Sequence, residues 1–158
     1  MRLSKLHIFL LTFILFVCLS SSCEKHKQHP VPSTYANFMI NIQTDPEFIR
    51  LAAPGNAMEI SGFMVNSLSL GYDDNGVIIY NAGDNEFYVF DRTCPYDMPE
   101  SVAVETDGTG TFATCPVCGT QYVLPSMGSP TTNGPGIWPL REFKVFYNQN
   151  TGVLSVYN

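Results

Sequence analysis

Three cysteines in the second half of the chain, Cys94, Cys115 and Cys118, are the side chains best equipped for chemistry. Thiolates act as nucleophiles, redox partners and soft metal ligands. Cys115-Pro116-Val117-Cys118 has the Cys-x-x-Cys spacing of thiol oxidoreductases. That chemistry draws on a helix amino terminus to lower a thiol pKa, whereas Gly119 and strand-like sequence follow here. Three thiolates with the carboxylate of Asp97 form a donor set for zinc, although structural zinc sites prefer Cys and His. In an oxidising compartment the simpler outcome is one disulfide with one leftover buried thiol. No imidazole lies nearby in sequence, because the histidines are His7, His26 and His29. The chain shows no catalytic triad, no acid-base carboxylate pair and no phosphate loop, so no enzymatic activity of its own is expected.

The amino terminus says where these thiols act. Arg2 and Lys5 precede a largely apolar run over 8–19, followed by Ser20, Ser21, Ser22 and Cys23. The run is too short to span a bilayer and has the flanks of a secretory signal peptide. The small residues before Cys23 are similar to a lipobox, without the usual leucine three places ahead of the cysteine. We therefore expect 1–22 to be a lipoprotein signal, Cys23 to be lipidated, 23–34 to be a flexible tether, and 35–158 to be one domain. The expected location is the cell envelope of a Gram-negative bacterium, periplasmic or on the outer-membrane surface. The anchor at Cys23 makes the membrane one partner, and a protein of unknown identity is expected as another. Past the signal, six Lys or Arg face fourteen Asp or Glu. So acidic a surface repels phosphate backbones, which excludes nucleic acid as a partner.

The elements that must position the cysteines read as short strands over 38–42, 58–60, 76–80, 87–90, 111–114, 121–124, 143–147 and 153–157. Asp74-Asn75-Gly76, Asp107-Gly108 and Asn150-Thr151-Gly152 tolerate the positive φ of tight connections. A short helical turn is expected over 45–51, with Asp45 as cap and Pro46 at its first position. Phe63, Phe90, Phe112, Tyr122 and Phe143 read as core or sheet-face residues. The pattern predicts an all-β sandwich or barrel.

The cysteine segments, Thr93-Cys94-Pro95-Tyr96-Asp97 and Cys115 through Tyr122, resemble the two cluster-binding loops of the Rieske iron-sulfur family, Cys-x-His and Cys-x-x-His-Gly. Tyr96 stands at the first histidine position and Cys118 at the second. The likeness covers about 70–158, with 76–93 similar to the hairpin before the first loop and 141–157 to the closing hairpin. Gly134, Pro135, Trp138 and Pro139 fall in a stretch similar to the family's proline-containing covering loop. The resemblance implies stacked antiparallel sheets carrying two cysteine-bearing loops.

A Rieske centre holds one iron by two thiolates and the other by two imidazoles. The matching positions here, Cys94, Tyr96, Cys115 and Cys118, supply three thiolates and at best an oxygen from Tyr96 or, as an extra ligand, Asp97. A cluster so held would move from the Rieske range of roughly −150 to +300 mV toward about −400 mV. The leader lacks the paired arginines of the folded export route, so the chain should arrive without iron. In the family the first cysteine of each loop binds the same iron, which implies a Cys94–Cys115 disulfide, with Cys94–Cys118 second and Cys118 buried beside Tyr96. The expectation is a lipid-anchored, Rieske-like binding or assembly module without a cofactor. The alternative is an electron carrier with an atypically ligated [2Fe-2S] cluster.

Overall fold

The structure, a computed structural model, describes residues 28–158. The signal, Cys23 and most of the expected tether lie outside the described residues. Ten strands follow in chain order: β1 (Asn37–Asn41), β2 (Ala57–Ile60), β3 (Val77–Gly83), β4 (Glu86–Asp91), β5 (Glu105–Thr106), β6 (Phe112–Thr114), β7 (Gln121–Val123), β8 (Ser129–Pro130), β9 (Glu142–Asn148) and β10 (Val153–Tyr157). They form two antiparallel sheets, one of six strands in the order β1-β10-β9-β4-β3-β2 and one of four in the order β5-β6-β7-β8. β9 joins β4 through Phe143 and Glu142, then β10 from Lys144 onward, so the larger sheet curls. The fold is all-β, and the helical elements among the described residues are 3-10 turns of three or four residues.

The layers follow from side-chain alternation along β3. Val77 and Ile79 enter one core with Phe38, Ile40, Phe87, Val89 and Leu154. Ile78 and Tyr80, on the opposite face, enter a second core with Phe90, Cys94, Ala113, Cys115, Tyr122 and Leu140. Successive strand residues point to opposite faces, so an apolar run such as Val77-Ile78-Ile79-Tyr80 needs a layer on each side. The small sheet, inserted between β4 and β9, supplies the second layer. The first cysteine loop leaves β4 of the larger sheet and leads into β5 of the small one, and the second joins β6 to β7.

All eight strands read from the sequence are present, with edges shifted by up to three residues. β5 and β8 are each two residues long and carry no periodicity to detect. The turn expected over 45–51 is a 3-10 turn at Ile49–Ala52, and Asp45 instead accepts the Glu47 N–H at 3.1 Å as an Asx turn. Phe63 is solvent-exposed rather than in the core, because the turn at Gly62–Val65 faces outward. The docked segment begins earlier than the tether boundary at 34 implies. Val31 is buried, its carbonyl accepts from Arg141 Nη1 at 3.0 Å, and His29 Nε2 donates to the Pro139 carbonyl at 2.9 Å.

Two acidic side chains of the larger sheet fix neighbouring segments to it. Glu59 on β2 pairs with Arg92 at 2.8 Å and accepts from the Thr106 N–H at 2.8 Å, linking the two sheets. Asp91, fully buried at the end of β4, accepts from the N–H groups of Tyr72 at 2.7 Å and Thr93 at 2.8 Å, and from the Thr34 hydroxyl at 3.4 Å. Hydrogen bonds to a charged acceptor are the stronger kind, and removing it strands buried donors. Asp91→Ala is therefore expected to lower unfolding free energy by about 3 kcal/mol, measured by urea denaturation, whereas Glu47→Ala at the surface should change it by less than about 0.5 kcal/mol.

Candidate functional site

Cys94 sits three residues beyond β4, on a loop that turns into the 3-10 element Met98–Glu100. Cys115 and Cys118 occupy the β6–β7 connection, closed by the Cys115 N–H to the Thr120 carbonyl at 2.9 Å and the Gly119 N–H to the Cys115 carbonyl at 3.0 Å. Gly119 has φ of +72°, which a side chain would strain. The loops meet at their sulfurs: Cys94 Sγ lies 3.7 Å from Cys118 Sγ, and Cys115 Sγ donates to Asp97 Oδ2 at 3.0 Å. One ligating atom each from Cys94, Asp97, Cys115 and Cys118 lies within 4.8 Å of all the others.

The structure thus brings the three cysteines together and selects Asp97 as the fourth donor. Tyr96 does not take the first histidine's place: its side chain is 54% exposed, while that of its neighbour Asp97 is 8% exposed. All three cysteines are free thiols in this structure. With Cys115 engaged by Asp97 and Cys94 by Cys118, forming the expected Cys94–Cys115 disulfide would break the Cys115–Asp97 hydrogen bond. Cys118 is half-buried, and its thiol donates to Thr120 Oγ1 at 3.2 Å.

Two hydroxyls missed as site residues complete the surroundings. Tyr122 OH is 3.2 Å from Cys94 Sγ, and Thr120 Oγ1 is 3.2 Å from Cys118 Sγ. The segment Gly119-Thr120-Gln121-Tyr122 held the signal, since β7 alternation turns Thr120 and Tyr122 to the same face. The stretch expected as a covering loop lies against this hydroxyl, where Gly136 N–H donates to Thr120 Oγ1 at 2.9 Å. Gly134, at φ +87°, passes so near that a Cβ would lie 2.4 Å from Thr120 Cα. Pro135 and Pro139 are exposed on this loop. Trp138 is half-buried and meets the His29 ring edge-on at 5.7 Å, which is where the docked amino-terminal segment holds its imidazole.

Burial, reinforced by the Asp97 carboxylate, pushes the Cys115 thiol far above the ordinary range and raises that of Cys118. Burial also raises Tyr122, with the Cys94 contact adding to it. For Asp97, burial works toward a higher pKa, but hydrogen bonds from the thiols of Cys118, Cys115 and Cys94 outweigh it and hold the carboxyl below its usual value. Cys115 and Cys118 are therefore held as thiols beside an ionised Asp97.

The group implied by the family resemblance can be tested against these donors. In a [2Fe-2S] cluster two metal tetrahedra share an edge of bridging sulfides. With metal–sulfur bonds of about 2.3 Å, ligands on opposite irons stand about 5.3 Å apart at the nearest and about 6.5 Å on the diagonal. Four donors all within 4.8 Å of one another are too compact for that span.

No family model matches the chain, and no curated protein matches it. Among solved structures, the ferredoxin of carbazole 1,9a-dioxygenase from Nocardioides aromaticivorans IC177 aligns over 79% of this chain and 98% of its own, at 18% identity and a TM-score of 0.41. A likeness of that degree assigns no function.

Two outcomes follow from the site. In reduced, metal-free protein at neutral pH, Cys115 and Cys118 should alkylate slowly with iodoacetamide, the rate climbing only above the ordinary thiol pKa near 8.5; Asp97→Asn should shift the rate profile to lower pH. Gly134→Ala should reduce stability by more than about 1 kcal/mol and loosen the covering loop, read as faster amide exchange at Gly136.

Proposed function

We propose that this protein is a lipid-anchored, extracytoplasmic Rieske-like domain that works as a binding or assembly module and carries no [2Fe-2S] cluster. The observation that supports the reading is the donor set itself: three cysteines and one carboxylate, with no imidazole joining them among the described residues, within 4.8 Å of one another and so closer than two irons require. The surface around the site supports a binding role. Tyr96, Val117 at 68% exposure and Ile137 at 80% stand at the tips of the first cysteine loop, the second cysteine loop and the covering loop. Contact between those loops places three large apolar side chains at one end of the domain, where water leaves them on partner docking. The signal-like amino terminus and Cys23 support anchoring, and the acidic balance supports a protein partner over a nucleic acid.

The test is isolation of the protein under anaerobic conditions from its native membrane. Colourless protein without acid-labile sulfide, whose amino-terminal peptide carries acyl chains on Cys23, is the expected result. A photo-crosslinker at Val117 should then give one discrete protein adduct in the intact envelope, and no adduct there would remove the binding role. Two irons and two sulfides per chain, with visible charge-transfer bands, would make the protein an electron carrier with an atypically ligated cluster.

A further inference from the structure

We infer that Cys94, Asp97, Cys115 and Cys118 form a closed site for one tetrahedral divalent ion of the zinc class, which clamps the two loops of the small sheet together. Around a zinc ion with bonds of about 2.3 Å to sulfur, neighbouring thiolates of a tetrahedron stand about 3.8 Å apart. Cys94 Sγ and Cys118 Sγ already stand 3.7 Å apart, and the whole donor group closes within 4.8 Å. Three sulfur donors select a borderline or soft ion over magnesium or calcium, which take oxygen ligands. Four protein donors leave no open position, which is the arrangement of a structural rather than a catalytic ion.

The surroundings independently favour charged sulfur. Hydrogen-bond donors serve a thiolate better than a thiol, because hydrogen bonds to an ionised acceptor are roughly twice as strong. Two hydroxyls are placed to act in this sense. Thr120 Oγ1 accepts from Gly136 N–H and from the Cys118 thiol, so that once Cys118 is ionised the threonine proton can turn to its sulfur, and Tyr122 OH lies 3.2 Å from Cys94 Sγ. Outer partners of this kind orient metal ligands and tune their basicity.

Binding is written simply. The incoming M²⁺ forms three metal–sulfur bonds and one metal–oxygen bond, the three S–H bonds break, and three protons pass to solvent with no change of oxidation state. The Cys115–Asp97 hydrogen bond of the metal-free form is replaced by coordination of both groups to the same ion. Occupation also protects Cys94 and Cys118 from oxidation to each other in an oxidising compartment.

The inference rests on the cluster-free reading, and the two fail differently. Full-length protein, reduced with a phosphine and stripped with a chelator, is titrated anaerobically with Co²⁺ as a spectroscopic probe. The expected result is one Co²⁺ per chain, with thiolate charge-transfer bands and intense tetrahedral d–d bands that one equivalent of Zn²⁺ abolishes. Asp97→Ala should keep the thiolate bands while altering the d–d pattern, and Tyr122→Phe should weaken binding about tenfold. Reduced wild-type protein that gives no tetrahedral cobalt spectrum would overturn the single-ion site and leave the cluster-free module standing. Two irons with two sulfides in the native protein would overturn both.

Discussion

A β-hairpin that is apolar on both faces cannot lie on the surface of a domain, and β3 with β4 is such a hairpin. Val77, Ile79, Phe87 and Val89 are covered by the curl of the larger sheet, while Ile78 and Phe90 on the reverse side require a second cover. The four-stranded sheet exists to provide it. Its strands are only two or three residues long, too short to be stable on their own, and they hold because Ala113, Tyr122 and Leu124 close against the reverse side of that hairpin. Everything at the cysteine site depends on this packing.

The second layer also explains why polar groups are buried where they are. Glu59 on the larger sheet satisfies the Thr106 N–H of the small sheet, while Asp91 satisfies the N–H groups of Tyr72 and Thr93 on the segments flanking the β3–β4 hairpin. At the far end of the small sheet the cysteine loops bring Cys94, Asp97 and Cys115 into a buried cluster with the half-buried Cys118. A lone carboxylate there would be costly, and its stability comes from the thiol donors around it. The same crowding, three sulfurs and one carboxylate within 4.8 Å of one another, is the arrangement that one tetrahedral ion would fill. A two-iron cluster would need these donors to move apart.

The amino-terminal segment adds a further constraint. Val31 is buried and His29 lies against Trp138, so the chain crosses the covering loop before it reaches β1. The one described histidine is therefore committed to the outer side of that loop by its bond to the Pro139 carbonyl.

The strands were legible in the sequence because period-two alternation and turn residues such as Asn150-Thr151-Gly152 are local signals, and the β9–β10 hairpin pairs Val153 with Asn148 around that turn. The site's three sulfurs were legible as well, since Cys-x-x-Cys spacing and a third cysteine after a strand are chemical facts of the chain. What the sequence by itself could not decide was the direction of neighbouring side chains in a loop that lacks a repeat. Tyr96 and Asp97 are adjacent and both carry oxygen, and only the turn into Met98–Glu100 puts Asp97 inside and Tyr96 out. The distances among the donors, the docking of Val31, and the second cover over β3 are likewise tertiary. They arise from contacts between residues far apart in the chain, for which no local periodicity exists.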